Sequence, residues 1–369
     1  MRVVVLLILV LVMLSSGCTV PVLNVQIPGI PDIPGFGGTT VVEHEHDVLI
    51  IKSMEIVPDV VDAGQVTRVV AYLQNVGDST LENVEVDLYD YCEGLFIPKL
   101  ISCPNRAAGS DSLHRQDTTK CVVGEILPNQ IVPVTWSVCQ NTAAPVTVKT
   151  VCPPDGFKMY AEYNYKTSSI TTISLIALSV LQQELIERTH KSTGSYIALG
   201  QGPIKPVITV EDKQPIPVFN IMPGIDTSSS RTDTDVPNSR TVLKFQVKNY
   251  GSGELATETI PKASVKITGL GTDTGLKPYE QQTYTGVGVD DANYMCAFFD
   301  RGTTNFKNDL RMIGKESSPY LCTIDLSSLT GKVSKTTTRT VRAEVSYRYR
   351  VKASAMITID PKVAASTVG

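Results

Sequence analysis

The chain of 369 residues lacks the patterns on which most enzyme assignments begin. It contains no Gly-x-Ser-x-Gly turn, no His-Glu-x-x-His helix and no phosphate-binding glycine loop, and it has only four histidines. It also lacks any Cys-x-x-Cys pair, which argues against a zinc site. These absences predict a protein without catalytic activity and without a cofactor.

Acidic residues exceed basic ones only slightly, since the formal net charge is −4, and the basic residues are scattered along the sequence. A nucleic-acid surface needs clustered lysine and arginine, so no nucleic-acid partner is expected. Aromatic residues make up 6% of the chain, with Trp136 as the single tryptophan, whereas valine, isoleucine and threonine are abundant. Glycine and proline recur between apolar runs, and this mixture favours strands over helices.

The N-terminus carries the longest apolar run. Arg2 precedes the run Val3–Leu14, and the small residues Ser15–Gly17 lead directly to Cys18. A helix that spans a bilayer needs roughly 20 apolar residues, and this run is shorter. The pattern therefore predicts a cleaved signal peptide over residues 1–17.

The segment that ends at Cys18 resembles the lipobox of prokaryotic lipoproteins, in which the cysteine accepts a lipid and becomes the mature N-terminus. The resemblance implies attachment to the membrane through a lipid on Cys18, and hence an extracytoplasmic protein anchored to the outer face of the cell membrane. That motif prefers an aliphatic residue where this chain has Ser15. Plain secretion and an uncleaved anchor therefore stay open as alternatives.

From Asp47 onward, short apolar strands alternate with turns. A turn at Asp62–Gly64, a strand, a turn at Asn75–Gly77 and the alternating segment NVEVDLYD predict an antiparallel sandwich. These features, over about residues 54–90, resemble CARDB-type and S-layer-associated domains, which are immunoglobulin-like β-sandwiches of archaeal and bacterial surface proteins. The resemblance implies a prokaryotic, archaeal-type surface protein.

Two landmarks of the first half recur in the second. Residues 240–251 correspond to 67–77, and residues 341–359 correspond to 159–175. Because the landmarks keep their order and a similar separation, we predict an internal duplication and an all-β fold of two tandem immunoglobulin-like antiparallel β-sandwiches joined by a short helix.

The predicted organisation is a signal peptide at 1–17, a lipidated cysteine and Pro/Gly-rich tether at 18–47, a first sandwich at 48–178, a helical connector at 179–202, a second sandwich at 203–361 and a C-terminal tail at 362–369. In the connector, Ser179 and Gln182 fit a capping box, and an apolar stripe that includes Leu185 and Ile186 follows. We expect the stripe to pack on the sandwiches, and a helix that docks a partner is the alternative.

Seven cysteines follow Cys18, and in an exported protein they predict disulfides. Cys296 and Cys322 are the only pair in the second half, so we predict that they bridge. Cys121 corresponds to Cys322 in the repeat alignment. The matching bridge is therefore Cys103–Cys121 or Cys92–Cys121.

The remaining cysteines allow one more bridge. Cys139 and Cys152 flank a predicted hairpin and are expected to pair, which leaves Cys92 as the candidate unpaired thiol. His44 and His46 would project from one side of a strand, but a closed zinc site needs about four donors. No metal site is predicted, and these two histidines are the weak candidates.

Tyrosines occupy both of the late repeated segments. Tyr163 and Tyr165 share one strand face, as do Tyr347 and Tyr349. We expect them to pack, with an exposed ladder for carbohydrate or protein contacts as the alternative.

The predicted function is a lipid-anchored cell-surface structural or protein-interaction module without catalytic activity. Its expected partners are the membrane, through the lipid on Cys18, and envelope or surface-layer proteins or further copies of the chain, through open sheet edges. The alternatives are a surface carbohydrate-binding or enzyme-accessory protein and a filament subunit that exchanges strands.

Overall fold

The computed structural model describes residues 46–62, 65–92, 95–104, 119–140, 148–152, 156–192, 194, 196–219, 240–271, 274–278, 296, 299 and 305–361. The N-terminal unit, residues 1–36, lies outside this range, as do Cys18 and His44, so the predictions for the signal, the lipid and the tether stay predictions. Within the described residues, no helix is long and apolar enough to cross a bilayer.

The fold consists of strands, one α-helix and two short 3-10 helices among the described residues. The strands are β1 Leu49–Val57, β2 Val60–Asp62, β3 Val66–Asn75, β4 Leu81–Asp90, β5 Phe96–Ser102, β6 Lys120–Ile126, β7 Ile131–Gln140, β8 Thr150–Val151, β9 Phe157–Ala177, β10 Tyr196–Leu199, β11 Ile204–Val210, β12 Ile216–Val218, β13 Arg240–Asn249, β14 Glu254–Leu255, β15 Thr259–Ile260, β16 Val265–Thr268, β17 Lys277–Pro278, β18 Leu310–Ile313, β19 Glu316–Ser317, β20 Tyr320–Asp325, β21 Thr336–Ala355 and β22 Thr358–Asp360. The helix α1 is Leu178–Ile186, and the 3-10 helices are Lys262–Ser264 and Ser327–Leu329.

Each half of the chain contains one sheet of its own, built around a ten-residue strand. In the first half, β3 lies between β1 and β7, and β5 completes the order β1-β3-β7-β5. In the second half, β13 lies between β11 and β20. Both central strands alternate buried and less buried residues, because successive side chains of a strand point to opposite faces.

A third sheet is shared by both halves. Its order is β14-β21-β9-β4-β6, and β9 pairs with β21 in antiparallel register along all 20 residues of β21. The prediction of an all-β, β-sandwich-like fold is confirmed. A continuous ladder therefore joins the two halves of the chain, since β9 belongs to the first half and β21 to the second.

The helix differs from its prediction in its start and in its packing. Since β9 continues to Ala177, that residue caps the helix, without a side-chain hydrogen bond, and Ser179 already lies inside it. The helix has no buried residue, and Leu185 and Ile186 are 55% and 83% exposed. The expectation that the apolar stripe packs on the sheets is therefore wrong for its last two residues, although Val180 does pack against the core.

The core runs through both halves. Trp136, fully buried in β7, donates its indole N–H to the carbonyl oxygen of Thr119 at 2.7 Å. The strand β22, near the end of the described chain, pairs with β2 and β8 of the first half. The C-terminal strand of the described chain thus adds a second connection between the halves.

Candidate functional site

The register of β9 and β21 places an approximate two-fold axis in the shared sheet. The repeat alignment equates Tyr165 with Tyr347, and these two residues are direct partners across the ladder. The residues on either side, Asn164 and Lys166, correspond to Ser346 and Arg348. Each half therefore contributes the same kinds of side chain to this point, which we call the junction.

Tyrosines fill one face of the junction. Tyr163, Tyr347 and Tyr349 are 1%, 6% and 0% exposed, and only Tyr165 is partly accessible. The rings of Tyr163 and Tyr349 meet edge to face, with their centroids 5.9 Å apart. Burial raises the pKa of the Tyr163, Tyr347 and Tyr349 hydroxyls well above the usual tyrosine range. The expected packing role therefore describes these tyrosines better than an exposed ladder.

Hydrogen bonds fix the tyrosine face to both halves. The hydroxyls of Tyr347 and Thr167 are bonded at 2.8 Å, and Tyr347 also accepts the N–H of Ile204 at 3.3 Å. Gly202 passes close by with a φ of +119°, and a Cβ there would lie 2.8 Å from the Tyr347 hydroxyl oxygen. Glycine is required at this point because it tolerates both the backbone angle and the close approach.

Charged side chains lie at alternate positions to these tyrosines on the two strands and form matching ion pairs. Glu162 binds Arg348 at 2.7 Å, and its counterpart Glu344 binds Lys166 at 2.7 Å. Arg348 also binds Glu85 of β4 at 2.6 Å. The hydrogen bond from Lys166 is the main reason that the pKa of Glu344 is lower than usual.

The strands that flank the junction separate from it on both sides. Along β9, pairing with β4 reaches Glu162 and pairing with β10 begins at Ser169. Along β21, pairing with β16 reaches Val345 and pairing with β14 begins at Tyr349. Among the described strands, the middle of β9 and the middle of β21 therefore pair only with each other and have no outer neighbour.

A trough of about 660 Å³ lies over this part of the junction. We call it the junction trough, and its described lining consists of Ser79, Thr80, Asn164, Tyr165, Lys166, Thr257, Pro261, Ser264, Ser346, Tyr347 and Arg348. The only charged groups in that lining are the cations of Lys166 and Arg348, whose side chains are 57% and 43% exposed. The trough therefore presents two exposed cations, each already paired with a carboxylate, among hydroxyl and amide groups.

The cysteine pairs agree only in part with their prediction. Cys296 and Cys322 form the predicted bridge, and Cys121 pairs with Cys103 rather than with Cys92. Cys92 instead pairs with Cys152, with a Cα–Cα distance of 6.0 Å.

The predicted Cys139–Cys152 bridge is therefore wrong, as is the choice of Cys92 for the unpaired thiol. Cys139 is free and exposed, because it follows the buried Val138 on β7 and so points to the opposite face of the sheet.

His46 is the only weak metal candidate within the described residues. Its Nδ1 lies 3.1 Å from the Nζ of Lys205, and its ring packs edge to face on Tyr250 at 5.4 Å. The described residues contain no group of three or more His, Cys, Asp or Glu side chains that could hold a metal. The neighbour of the His46 ring is therefore the ammonium of Lys205, and not a second side chain that could bind a metal.

The sequence interpretation missed the ion pairs and the trough. Their signal was present, because charged residues alternate with the tyrosines in both late segments and must point away from them. The partners of those charged residues depend on the pairing of β9 with β21, and no local sequence pattern predicts that pairing. Compared with known proteins, the chain matches no protein-family model and no curated protein.

Proposed function

We propose that this chain is a lipid-anchored cell-surface protein that serves as a rigid structural or protein-interaction module. The observation that carries the proposal is the 20-residue pairing of β9 with β21 in a chain that also holds three disulfides. At about 3.3 Å per residue, such a ladder runs for roughly 65 Å. A seam of this length resists bending between the halves.

The oxidised cysteines support a location outside the cytoplasm. Disulfides persist in oxidising compartments and are rare where thioredoxin and glutathione keep thiols reduced. Six of the seven cysteines after Cys18 are paired. Together with the signal-like segment 1–17 and the proline-rich segment 18–47, they favour a folded body held away from a membrane by an extended spacer.

We also propose that each half is an immunoglobulin-like sandwich. In this arrangement, the β1-β3-β7-β5 sheet covers one part of the shared sheet and the sheet around β13 covers the other. The matching turns after β3 and β13 support it, because both use an asparagine side chain to bind the same two backbone positions.

Anchoring is tested by expressing the full chain, with and without Cys18→Ala, in a host that processes lipoproteins. We expect the wild-type protein in the membrane fraction with incorporated labelled fatty acid, and the variant without label and released. Cys139→Ala is the matched control, since it removes a thiol and leaves the lipid acceptor intact. Full-length protein found reduced in the cytoplasm would contradict the proposal.

The interaction role is tested by proximity labelling on intact cells, with a peroxidase fused to the C-terminus of the full chain. We expect labelled envelope proteins that are lost when the same peroxidase is exported alone. Labelling that is identical for the fusion and the exported peroxidase would contradict a specific partner.

A further inference from the structure

We infer that the junction trough binds an acidic sugar, that is, a pyranose that carries a carboxylate. The inference deepens the proposed function and rests on it, because it assigns the class of envelope partner that a surface protein would meet there. It depends on three properties of the trough: its two exposed cations, its hydrogen-bonding groups and its size.

The two cations of the trough are held in place by ion pairs and keep unused donors. The ammonium of Lys166 has three N–H donors and the guanidinium of Arg348 has five. The bond to Glu344 uses one donor of the lysine, and the bonds to Glu85 and Glu162 use two of the arginine. Donors therefore remain for a ligand carboxylate, and the ion pairs orient both cations before binding, which lowers the entropic cost.

The other lining groups suit a sugar better than a peptide. Ser79, Thr80, Thr257, Ser264 and Ser346 supply hydroxyls that both donate and accept hydrogen bonds, and Asn164 supplies an amide. Sugar hydroxyls require partners of this kind. Pro261 belongs to the same lining and offers apolar surface for the C–H groups of a pyranose.

The size of the trough fits a short stretch of an acidic glycan. Its volume of about 660 Å³ lies within the range of roughly 300–1,000 Å³ that is usual for small-molecule sites. Lys166 and Arg348 are counterparts across the approximate two-fold axis. Each cation keeps donors for a ligand carboxylate, so loss of either is expected to weaken binding.

The test is calorimetry of the purified full-length protein with oligogalacturonate as the probe and a neutral dextran oligomer as the uncharged comparison. We expect binding of the acidic sugar alone, weakened by salt, and weakened about tenfold by Lys166→Gln or Arg348→Gln because a charge-assisted hydrogen bond is lost. Lys352→Gln is the matched control, since Lys352 lies on the same strand, pairs with Glu254 and does not line the trough.

Thermal unfolding of each variant separates lost binding from lost folding, and Lys166→Gln is the decisive variant because its partner Glu344 keeps Arg342. No heat with the wild-type protein, or equal losses in Lys352→Gln and Lys166→Gln, would overturn the inference. So would equal binding of polyglutamate, which would assign the trough to acidic peptides. Because the assay uses purified protein, its outcome is independent of the membrane fractionation that tests the anchor.

Discussion

The two halves of the molecule end their central strands with the same turn. Asn75 accepts the N–H of Gly77 at 3.0 Å, and Asn249 accepts the N–H of Gly251 at 3.0 Å. Each asparagine also donates to a carbonyl oxygen four residues ahead at 2.8 Å. Asparagine recurs because its short amide replaces the backbone groups that a tight turn would otherwise leave unpaired.

The halves differ in what the turn is attached to. Asn75 is fully buried and donates a second hydrogen bond, at 2.9 Å, to the carbonyl of Ile126 at the end of β6. Asn249 is less buried, and its carbonyl accepts the hydroxyl of Tyr349 at 3.1 Å. The same turn therefore binds β3 to β6 within the first half, whereas in the second half it binds β13 to the junction tyrosine Tyr349.

The disulfides also differ between the halves, with two in the first and one in the second. Removing a disulfide gives the largest expected effect on stability. Cys92–Cys152 closes 60 residues and Cys296–Cys322 closes 26. In the chain-entropy model, their loss costs about 4 and about 3.5 kcal/mol of unfolding free energy, because the longer loop restricts the unfolded chain more.

Urea unfolding of the two double Cys→Ala variants measures these costs. Cys139→Ala, which removes the free thiol, is the matched control and is expected to change the unfolding free energy by less than about 0.5 kcal/mol. If this control costs as much as either double variant, Cys139 takes part in a bridge and the pairing described above is wrong.

The turn comparison is sharpened by replacing each asparagine with alanine. Asn75→Ala leaves the buried carbonyl of Ile126 without this donor, so we expect a loss of about 2–3 kcal/mol. Asn249→Ala takes one acceptor from the buried hydroxyl of Tyr349, which still meets the backbone of Gly253, and we expect about 1–2 kcal/mol. Chemical denaturation of both variants makes the measurement, and equal costs would remove the distinction between the two turns.

Local features of this fold were predictable from the sequence because they repeat over short distances. Alternation of apolar residues indicated β3 and β13, and the position of Cys296 and Cys322 in the same half indicated their bridge. The Asn-x-Gly turns were also evident. Each of these signals is contained within a few tens of residues.

Features that depend on distant partners were not predictable. Cys152 meets Cys92 in a region where β8 pairs with β22, a strand some 200 residues further along the chain. The junction trough exists because β9 pairs with β21 while their outer neighbours separate. A single sequence contains no record of which long strand completes which edge, so the trough and its cations could not be located.

The smallest expected effect concerns the matching ion pairs of the junction. Glu344 has a lowered pKa in the folded protein, mainly because Lys166 donates to it, so its stabilising effect is present above the unfolded pKa of about 4.3 and is lost as the pH falls through the folded value. We expect Glu344→Gln to cost about 0.5–1 kcal/mol at pH 7 and less at pH 3, measured by urea unfolding at both pH values.

Its control is Glu82→Gln, an exposed position on β4, measured at the same two pH values. The counterpart Glu162, with a side chain 6% exposed and bound by both Arg348 and Arg350, marks the more buried end of the comparison. A cost for Glu344→Gln that is the same at pH 3 and pH 7 would mean that packing, and not charge, holds this side chain. The Glu344–Lys166 and Glu162–Arg348 pairs would then occupy equivalent positions in the ladder but be stabilised by different interactions.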